Sequence, residues 1–385
     1  MISFKKNTLT KTQLFLEEIR KIINEINFTN SSFACWRLPN HNSIEFCASE
    51  QNFILENDLE SMEPGFILSP FIEIDKNKVL YIPLEIYGDS EKGFLKYKEL
   101  KPSPIFKKKT DLSLNNSNNN SSISEYTSLV KLAVESLYNQ PSFMKVVTAR
   151  KKIIKISEKI NIFDTFLKVA QQLPSHFVSL HYTPQYGLWL GASPEILIEI
   201  KGKIFKTVAL AGSQPGDQSI SCEEAKWTQK EIEEQALVSR YIIDCFKKIR
   251  LREYIDFGPQ TIVADNIMHL ITEFIVNMDE TNFPQLGTVM LRLLHPTSAV
   301  CGMPKEQALK FITTYEKMDR KLYTGYLGPV NINQKTNLFV NLRCAEILNN
   351  NAILYAGAGI TKASNPEKEF QETELKMNTI AKFLE

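Results

Sequence analysis

Apolar residues recur every three to four positions from Thr10 to Ile26, with charges between them, which predicts an amphipathic helix. Short strand-like runs follow at Ser32 to Leu38, Ser43 to Ala48 and Lys78 to Tyr87. The patterning then stops at DLSLNNSNNNSSIS, Asp111 to Ser124, a polar stretch that predicts a mobile loop or linker. Helical spacing resumes over Ser124 to Gln140, where Tyr126, Val130, Ala133 and Leu137 share one face. Met144 to Ile156 is β-branched and reads as a strand, and Ile162 to Gln172 as a helix. Phe177 to Ile200 predicts two strands joined at Gln185-Tyr186-Gly187 and interrupted at GASPE, and Lys203 to Gly216 a further strand. Cys222 to Ile249 predicts a long helix with Ile232, Leu237, Ile242 and Phe246 on its apolar side. Gly302-Met303-Pro304 reads as a loop before a helix, and Asn337 to Leu348 as one strand in which Arg343 alternates with Leu342 and Cys344. Asn365 can cap a last helix, with Pro366 in its first turn.

Composition narrows the function classes. A chain of 385 residues, 43% hydrophobic, can bury a substantial core as one large or two ordinary domains. With 45 basic and 44 acidic residues the net charge is +1, so no global field draws the chain to nucleic acid or membrane. Six cysteines form no C-x-x-C pair and five histidines no H-E-x-x-H spacing, so reduced thiols in a cytoplasmic protein are the simplest expectation. The N-terminus lacks the unbroken apolar core of a signal peptide, and no run of 18 apolar residues predicts a membrane span.

The chemistry concentrates near the C-terminus. Glu369, Glu372 and Lys376 lie at i, i+3 and i+7, on one helix face. Such a stripe is ordinarily a solvated, salt-bridged surface; here it follows Ala356-Gly357-Ala358-Gly359, where backbone can approach a ligand closely. Carboxylate oxygens suit Mg²⁺, which accepts an anionic substrate as a further ligand. Strand alternation puts Lys145 on the face of Val147 and Ala149, where its ammonium either snorkels to water or, desolvated, loses basicity and serves as a base. Glu195 follows Pro194 among Leu190, Ile196 and Leu197; an acid at a turn is usually solvated, but a dry mouth would raise its pKa toward that of a proton donor. Ala211-Gly212-Ser213 is a backbone able to meet a ligand, Glu234 flanks an apolar helix side, and His269 sits in an apolar run where a satisfied core histidine is the ordinary outcome.

The ordered set KVVTAR, LGASPEIL, ALAGS, EEQALV, NIMHLIT, LHPTSAVCG, DRKLYTGYLGP, LRCAEI, AGAGI and EFQETELK resembles the chorismate-utilising enzymes, specifically the isochorismate synthases, over roughly Ser124 to Glu385. The resemblance implies an α/β (α+β) fold of two layered antiparallel sheets with outer helices and the site between them. Residues 1–110 form its divergent N-terminal part, 111–123 a flexible loop and 124–385 the catalytic region. By the same resemblance Lys145 is the base that activates water and Glu195 the acid; Glu234, Glu369 and Glu372 hold Mg²⁺, directly or through water. Arg343, the Gly357 backbone and Lys376 cradle substrate carboxylates, and His269 and Tyr323 face the ring. Aminating relatives carry Thr where Ala299 stands and lack the base lysine, and one group has a nucleophilic Lys where Ala211 stands. Water is therefore the expected nucleophile, chorismate the substrate, and no glutaminase subunit is expected. Salicylate-forming relatives share the base and metal site and add pyruvate elimination; a non-catalytic binding protein is the reading from outside the enzymes. Two positions depart from the family pattern: Gln235 stands where His is common, and Lys321 where Gly is common.

Overall fold

Alternation along the strands leaves each sheet with two apolar faces to cover, and the chain covers them by pairing two sheets and flanking both with helices. The computed structural model describes residues 10–25, 30–50, 53–54, 58–73, 78–96, 121–215, 222, 224–264 and 267–385. The proposed loop over 111–123 lies outside them except for its last residues, where Ser122 caps the next helix through the Glu125 N–H.

In chain order the elements are α1 (Lys11–Glu25), β1 (Ser32–Arg37), β2 (Glu45–Ser49), β3 (Phe53–Ile54), β4 (Gly65–Leu68), β5 (Leu80–Pro83), β6 (Ile86–Asp89) and β7 (Gly93–Lys96). Next come α2 (Ile123–Asn139), β8 (Lys145–Lys155), α3 (Ile162–Gln172), β9 (Phe177–Thr183), β10 (Gly187–Ser193), β11 (Ile196–Lys201), β12 (Ile204–Pro215) and α4 (Gln229–Lys248). The chain continues with β13 (Ile255–Ala264), β14 (Ile267–Asn277), α5 (Leu286–Leu294), β15 (Gly302–Met303) and α6 (Lys305–Tyr315). It closes with β16 (Tyr326–Val330), β17 (Lys335–Val340), β18 (Cys344–Ile347), β19 (Asn351–Ile360) and α7 (Pro366–Leu384).

Among the described residues the strands form two antiparallel sheets, ordered β15-β8-β19-β18-β10-β9-β1-β2-β6-β7 and β13-β14-β12-β11-β17-β16-β4-β5-β3. The N-terminal strands are divided between both sheets. Between the sheets lies an aromatic core containing Trp36, Phe66, Phe177, Trp189, Phe339 and Tyr355. Outside the first sheet, α1, α3 and α7 bury Phe15, Phe166 and Met377 against it, while α2 and α6 cover its β8 end. Outside the second, α4 and α5 bury Phe246 and Met290.

Several expected elements are divided by this architecture. Lys78 to Tyr87 is two strands, β5 in the second sheet and β6 in the first, with the chain changing sheets at Leu84-Glu85. Asn337 to Leu348 is likewise β17 and β18, in different sheets, and Arg343 lies in the turn between them at φ +47°. The helix expected from Cys222 begins at Gln229, because Thr228 and Glu231 form a reciprocal capping box. Its buried side is Val238, Tyr241, Ile242, Cys245 and Phe246, whereas Ile232 is exposed. Gly302-Met303 is not loop but a short strand paired with Val146 and Lys145.

Candidate active site

The chain changes sheets twice at one end of the sandwich, and the two crossings lie side by side. At the first, Ser193-Pro194-Glu195 carries β10 into β11; at the second, Asn341 to Arg343 carries β17 into β18. They are tied together by the Ala192 N–H to the Arg343 carbonyl (3.0 Å) and the Val340 N–H to the Glu195 carbonyl (3.0 Å). Backbone geometry thus brings an acid and a guanidinium together from positions 148 residues apart. Arg343 adopts a left-handed conformation unusual for a non-glycine residue. Among the described residues its guanidinium makes no hydrogen bond or ion pair, so its N–H fork is available to a ligand.

Val146 packs with the α2–α6 cluster and Ala149 with the core between the sheets, so alternation turns Lys145 inward. Lys145 is buried, and its stem crosses β19 at Gly359, where a Cβ would stand 2.6 Å from Lys145 Cε. Burial pushes the Lys145 ammonium below the ordinary lysine range; Glu234 opposes this, Lys376 adds to it, and Glu195 and Glu372 oppose it. Burial raises Glu195 to about 7 against the pull of Lys145, Lys376 and Arg343. Burial also lowers Arg343, with Tyr323, Glu372 and Glu195 acting the other way. Glu234, Tyr323, Glu372 and Lys376 thus lie near enough to act by charge on Lys145, Glu195 or Arg343. The structure therefore brings together Lys145, Glu195, Glu234, Tyr323, Arg343, Glu372 and Lys376 from six separate parts of the chain.

α7 is capped by Asn365, which accepts from the Lys368 N–H, and packs along β19. β18 pairs with β19 only as far as Leu354, leaving the later part of β19 without a strand neighbour on that side among the described residues. Here Lys376 Nζ donates to the Gly357 carbonyl (2.9 Å) and pairs with Glu372 (2.6 Å). Gly357 also makes room for Tyr323: a Cβ there would lie 3.1 Å from its Oη. Tyr323 stacks on Tyr355 and Tyr355 on Trp189, an aromatic column reaching from the site into the core. Glu369 is buried at 6% exposure.

Glu234, Glu369 and Glu372 do not converge on one point as direct ligands: among the described residues no three His, Cys, Asp or Glu side chains gather closely enough to hold a metal ion. Lys376 instead occupies Glu372. Their oxygen chemistry nevertheless fits Mg²⁺, which is commonly held by one or two carboxylates with waters and a substrate anion completing the shell.

The other expected residues lie at the margins of this network. Gly212, at φ +69°, forms a bulge in β12 between Ala211 and Ser213, and its missing side chain lets α4 approach, since a Cβ would meet Glu231 Cβ at 3.1 Å. Ala211 is half-buried there, and the Ser213 side chain lies outside the described residues. His269 Nδ1 donates to the Gly212 carbonyl (3.2 Å), which fixes the tautomer because a carbonyl only accepts. Ala299 is half-buried in the turn after α5. Gln235 Nε2 donates to the Ala209 carbonyl (3.1 Å) and Thr272 Oγ1 (2.9 Å), seating α4 on β12 and β14. Lys321 has φ +49°, which accounts for a preference for Gly there, and its Nζ bridges both Glu346 oxygens at 2.7 and 2.8 Å.

Of two supporting arginines, Arg320 was not singled out from the sequence and Arg150 was read only as a residue of the Lys145 strand. Arg320 pairs with Glu316 (2.7 Å), both buried, and donates to the carbonyls of Val147 (2.8 Å) and Val300 (2.9 Å), joining the Lys145 strand to the Ala299 turn. Its signal was the i, i+4 acid–base pair in EKMDR. Arg150 joins β8 to α7 through Thr373 (2.6 Å) and Glu374 and lies over the Phe370 ring.

Two layered antiparallel sheets with outer helices, whose crossings enclose a buried lysine, a raised carboxyl and an open guanidinium, define an α+β fold with one concentrated polar site. The sequence profile described as chorismate binding enzyme matches residues 88–385, and the chain belongs to that family. It is 32% identical over 200 residues to isochorismate synthase EntC of Escherichia coli (strain K12), a match covering 50% of each chain. It is 25% identical over 271 residues to anthranilate synthase component 1 of Thermococcus kodakarensis, covering 68% of this chain and 60% of that one. The chain thus spans about half the length of the curated isochorismate synthase that it matches. The solved structure of MenF, the menaquinone-specific isochorismate synthase from Escherichia coli, superposes with a TM-score of 0.73 at 19% identity, covering 100% of this chain and 93% of that one, which establishes the shared fold.

Proposed function

We propose that this protein is an isochorismate synthase, converting chorismate reversibly to isochorismate. The observation that carries the reading is the opposed environment of two groups in one site: Lys145 is pushed toward its neutral form and Glu195 toward its protonated form. Those are the forms a base and an acid need at the start of one reaction. Neutral Lys145 takes a proton from water, whose oxygen bonds to C2; the double bonds shift, the C4–O bond breaks, and Glu195 gives its proton to the departing hydroxyl. Atoms and electrons balance without a redox partner. Arg343 and Lys376 supply charge-assisted donors for the substrate's two carboxylates. Ala211 and Ala299 leave the site without the Lys and Thr expected of aminating relatives, which favours water over ammonia.

Mg²⁺ would be held by Glu369 and Glu372 of α7 and Glu234 of α4 in part through water, since the three do not converge as direct ligands and Lys376 holds Glu372, and it would supply positive charge for a substrate carboxylate. Whether the product feeds menaquinone or siderophore synthesis depends on neighbouring enzymes. Steady-state kinetics test the assignment. Lys145→Ala and Glu195→Gln should each keep the native circular dichroism spectrum and lose roughly 10²–10⁴-fold in kcat. Retained turnover in either removes that residue from the chemistry.

A further inference from the structure

A small crevice lies between β11–β12 and the middle of α4, with Glu195, Thr207, Val238, Tyr241, Leu294 and Thr297 in its wall. The acid therefore borders a second space. Most polar wall groups already have partners: Thr207 Oγ1 donates to the Leu197 carbonyl (2.7 Å), and Tyr241 Oη reaches the carbonyls of Leu293 (2.9 Å) and Leu294 (3.1 Å). Thr297 is different. Its carbonyl accepts from the Val300 N–H (3.2 Å) and the Cys301 N–H (2.9 Å), which fixes the turn, yet its hydroxyl, on a residue only 9% exposed, has no hydrogen-bond partner. A hydroxyl buried without a partner loses its hydration with nothing to replace it. A buried water needs two to four polar partners, and three polar residues line the crevice, Thr297 with its unpartnered hydroxyl, Thr207 and Glu195.

We propose that this crevice is a binding site for one ordered water that links Thr297 and Thr207 to the Glu195 carboxyl, and that Thr297 is through it a positioning residue for the acid. The positioning role rests on Glu195 being the acid of the proposed reaction. The charges acting on Glu195 are Lys145 from β8, Arg343 from the β17–β18 crossing and Lys376 from α7, all favouring its ionised form. A water on the crevice side would donate to one carboxyl oxygen and fix the carboxyl's orientation, so that its O–H is presented to the substrate.

A crystal structure of the wild-type protein at a resolution that orders water tests the site directly. Density within hydrogen-bond distance of both threonine hydroxyls is expected, and a dry crevice overturns the proposal. Thr297→Val keeps the shape and removes the hydroxyl. It should lower kcat about tenfold, short of the 10²–10⁴ expected for loss of an acid. It should also move the alkaline limb of the pH profile and leave KM for chorismate nearly unchanged, while Thr297→Ser restores both. Unchanged kcat and pH profile in Thr297→Val, or the same loss in a correctly folded Thr297→Ser, overturns the positioning role. If the wild-type protein makes no isochorismate, the functional reading fails, and the density alone still decides the water site.

Discussion

In the proposed reaction Glu195 must hold its proton and Lys145 must have lost one, so the two residues predict the pH profile. With Glu195 raised to about 7, kcat/KM should fall as pH rises through that value; on the acid side it should fall as the Lys145 ammonium forms. Stability has a matching sign. The carboxyl is raised from an ordinary value of 4.5, so between 4.5 and about 7 the folded chain binds more protons than the unfolded one, and stability is lost as pH rises through that window. Thermal melts should therefore show Glu195→Gln gaining on wild type at pH 8 and not at pH 5; an equal difference at both values contradicts the raised carboxyl. Alternation left Lys145 either snorkelling or desolvated and the turn left Glu195 either solvated or dry; the structure shows Lys145 buried and Glu195 raised, while their roles as base and acid came from the family resemblance. Arg343 was legible as a residue but not as a conformation, because the alternation of Asn341 to Cys344 continues unbroken through a turn that changes sheets. Thr297 gave no signal at all, since a missing hydrogen-bond partner exists only in three dimensions.

At the scale of the element, α7 carries Glu369, Glu372 and Lys376 and is held by two attachments. Asn365 caps its first turn, and Asn365→Ala should cost about 1 kcal/mol in denaturant titration. Arg150 fastens its middle to β8, next to Glu372. Arg150→Leu should cost about 1.5–3 kcal/mol and raise KM for chorismate more than it lowers kcat, because it loosens the helix without touching the acid or base. An unchanged KM would separate the clamp from substrate binding. α3 was readable at its observed bounds and α7 from its Asn365 cap, because those signals are local. The start of α4 was not, since the residues before Thr228 carry helix-forming side chains and only the capping box sets the boundary. Ile242 and Phe246 of its expected apolar side are buried, while at its start Ile232 is exposed and Val238 and Tyr241 pack against α5 and β12 instead.

At the scale of the molecule, two sheets and their crossings determine which residues meet. Local patterns could not supply this: Lys78 to Tyr87 and Asn337 to Leu348 each look like one strand and each serve both sheets. The layered arrangement was available only through resemblance to a family, and the matched profile and the shared fold bear it out. Within the described residues no helix is long and apolar enough to cross a membrane. The account requires that the whole assembly add water to chorismate with Mg²⁺ present and without ammonia. The most direct test is chromatography of the products formed from chorismate by the purified protein, with Mg²⁺ or with EDTA. A reversible mixture of chorismate and isochorismate, abolished by EDTA, is the predicted result. Salicylate with stoichiometric pyruvate, or chorismate untouched under every condition, would contradict it.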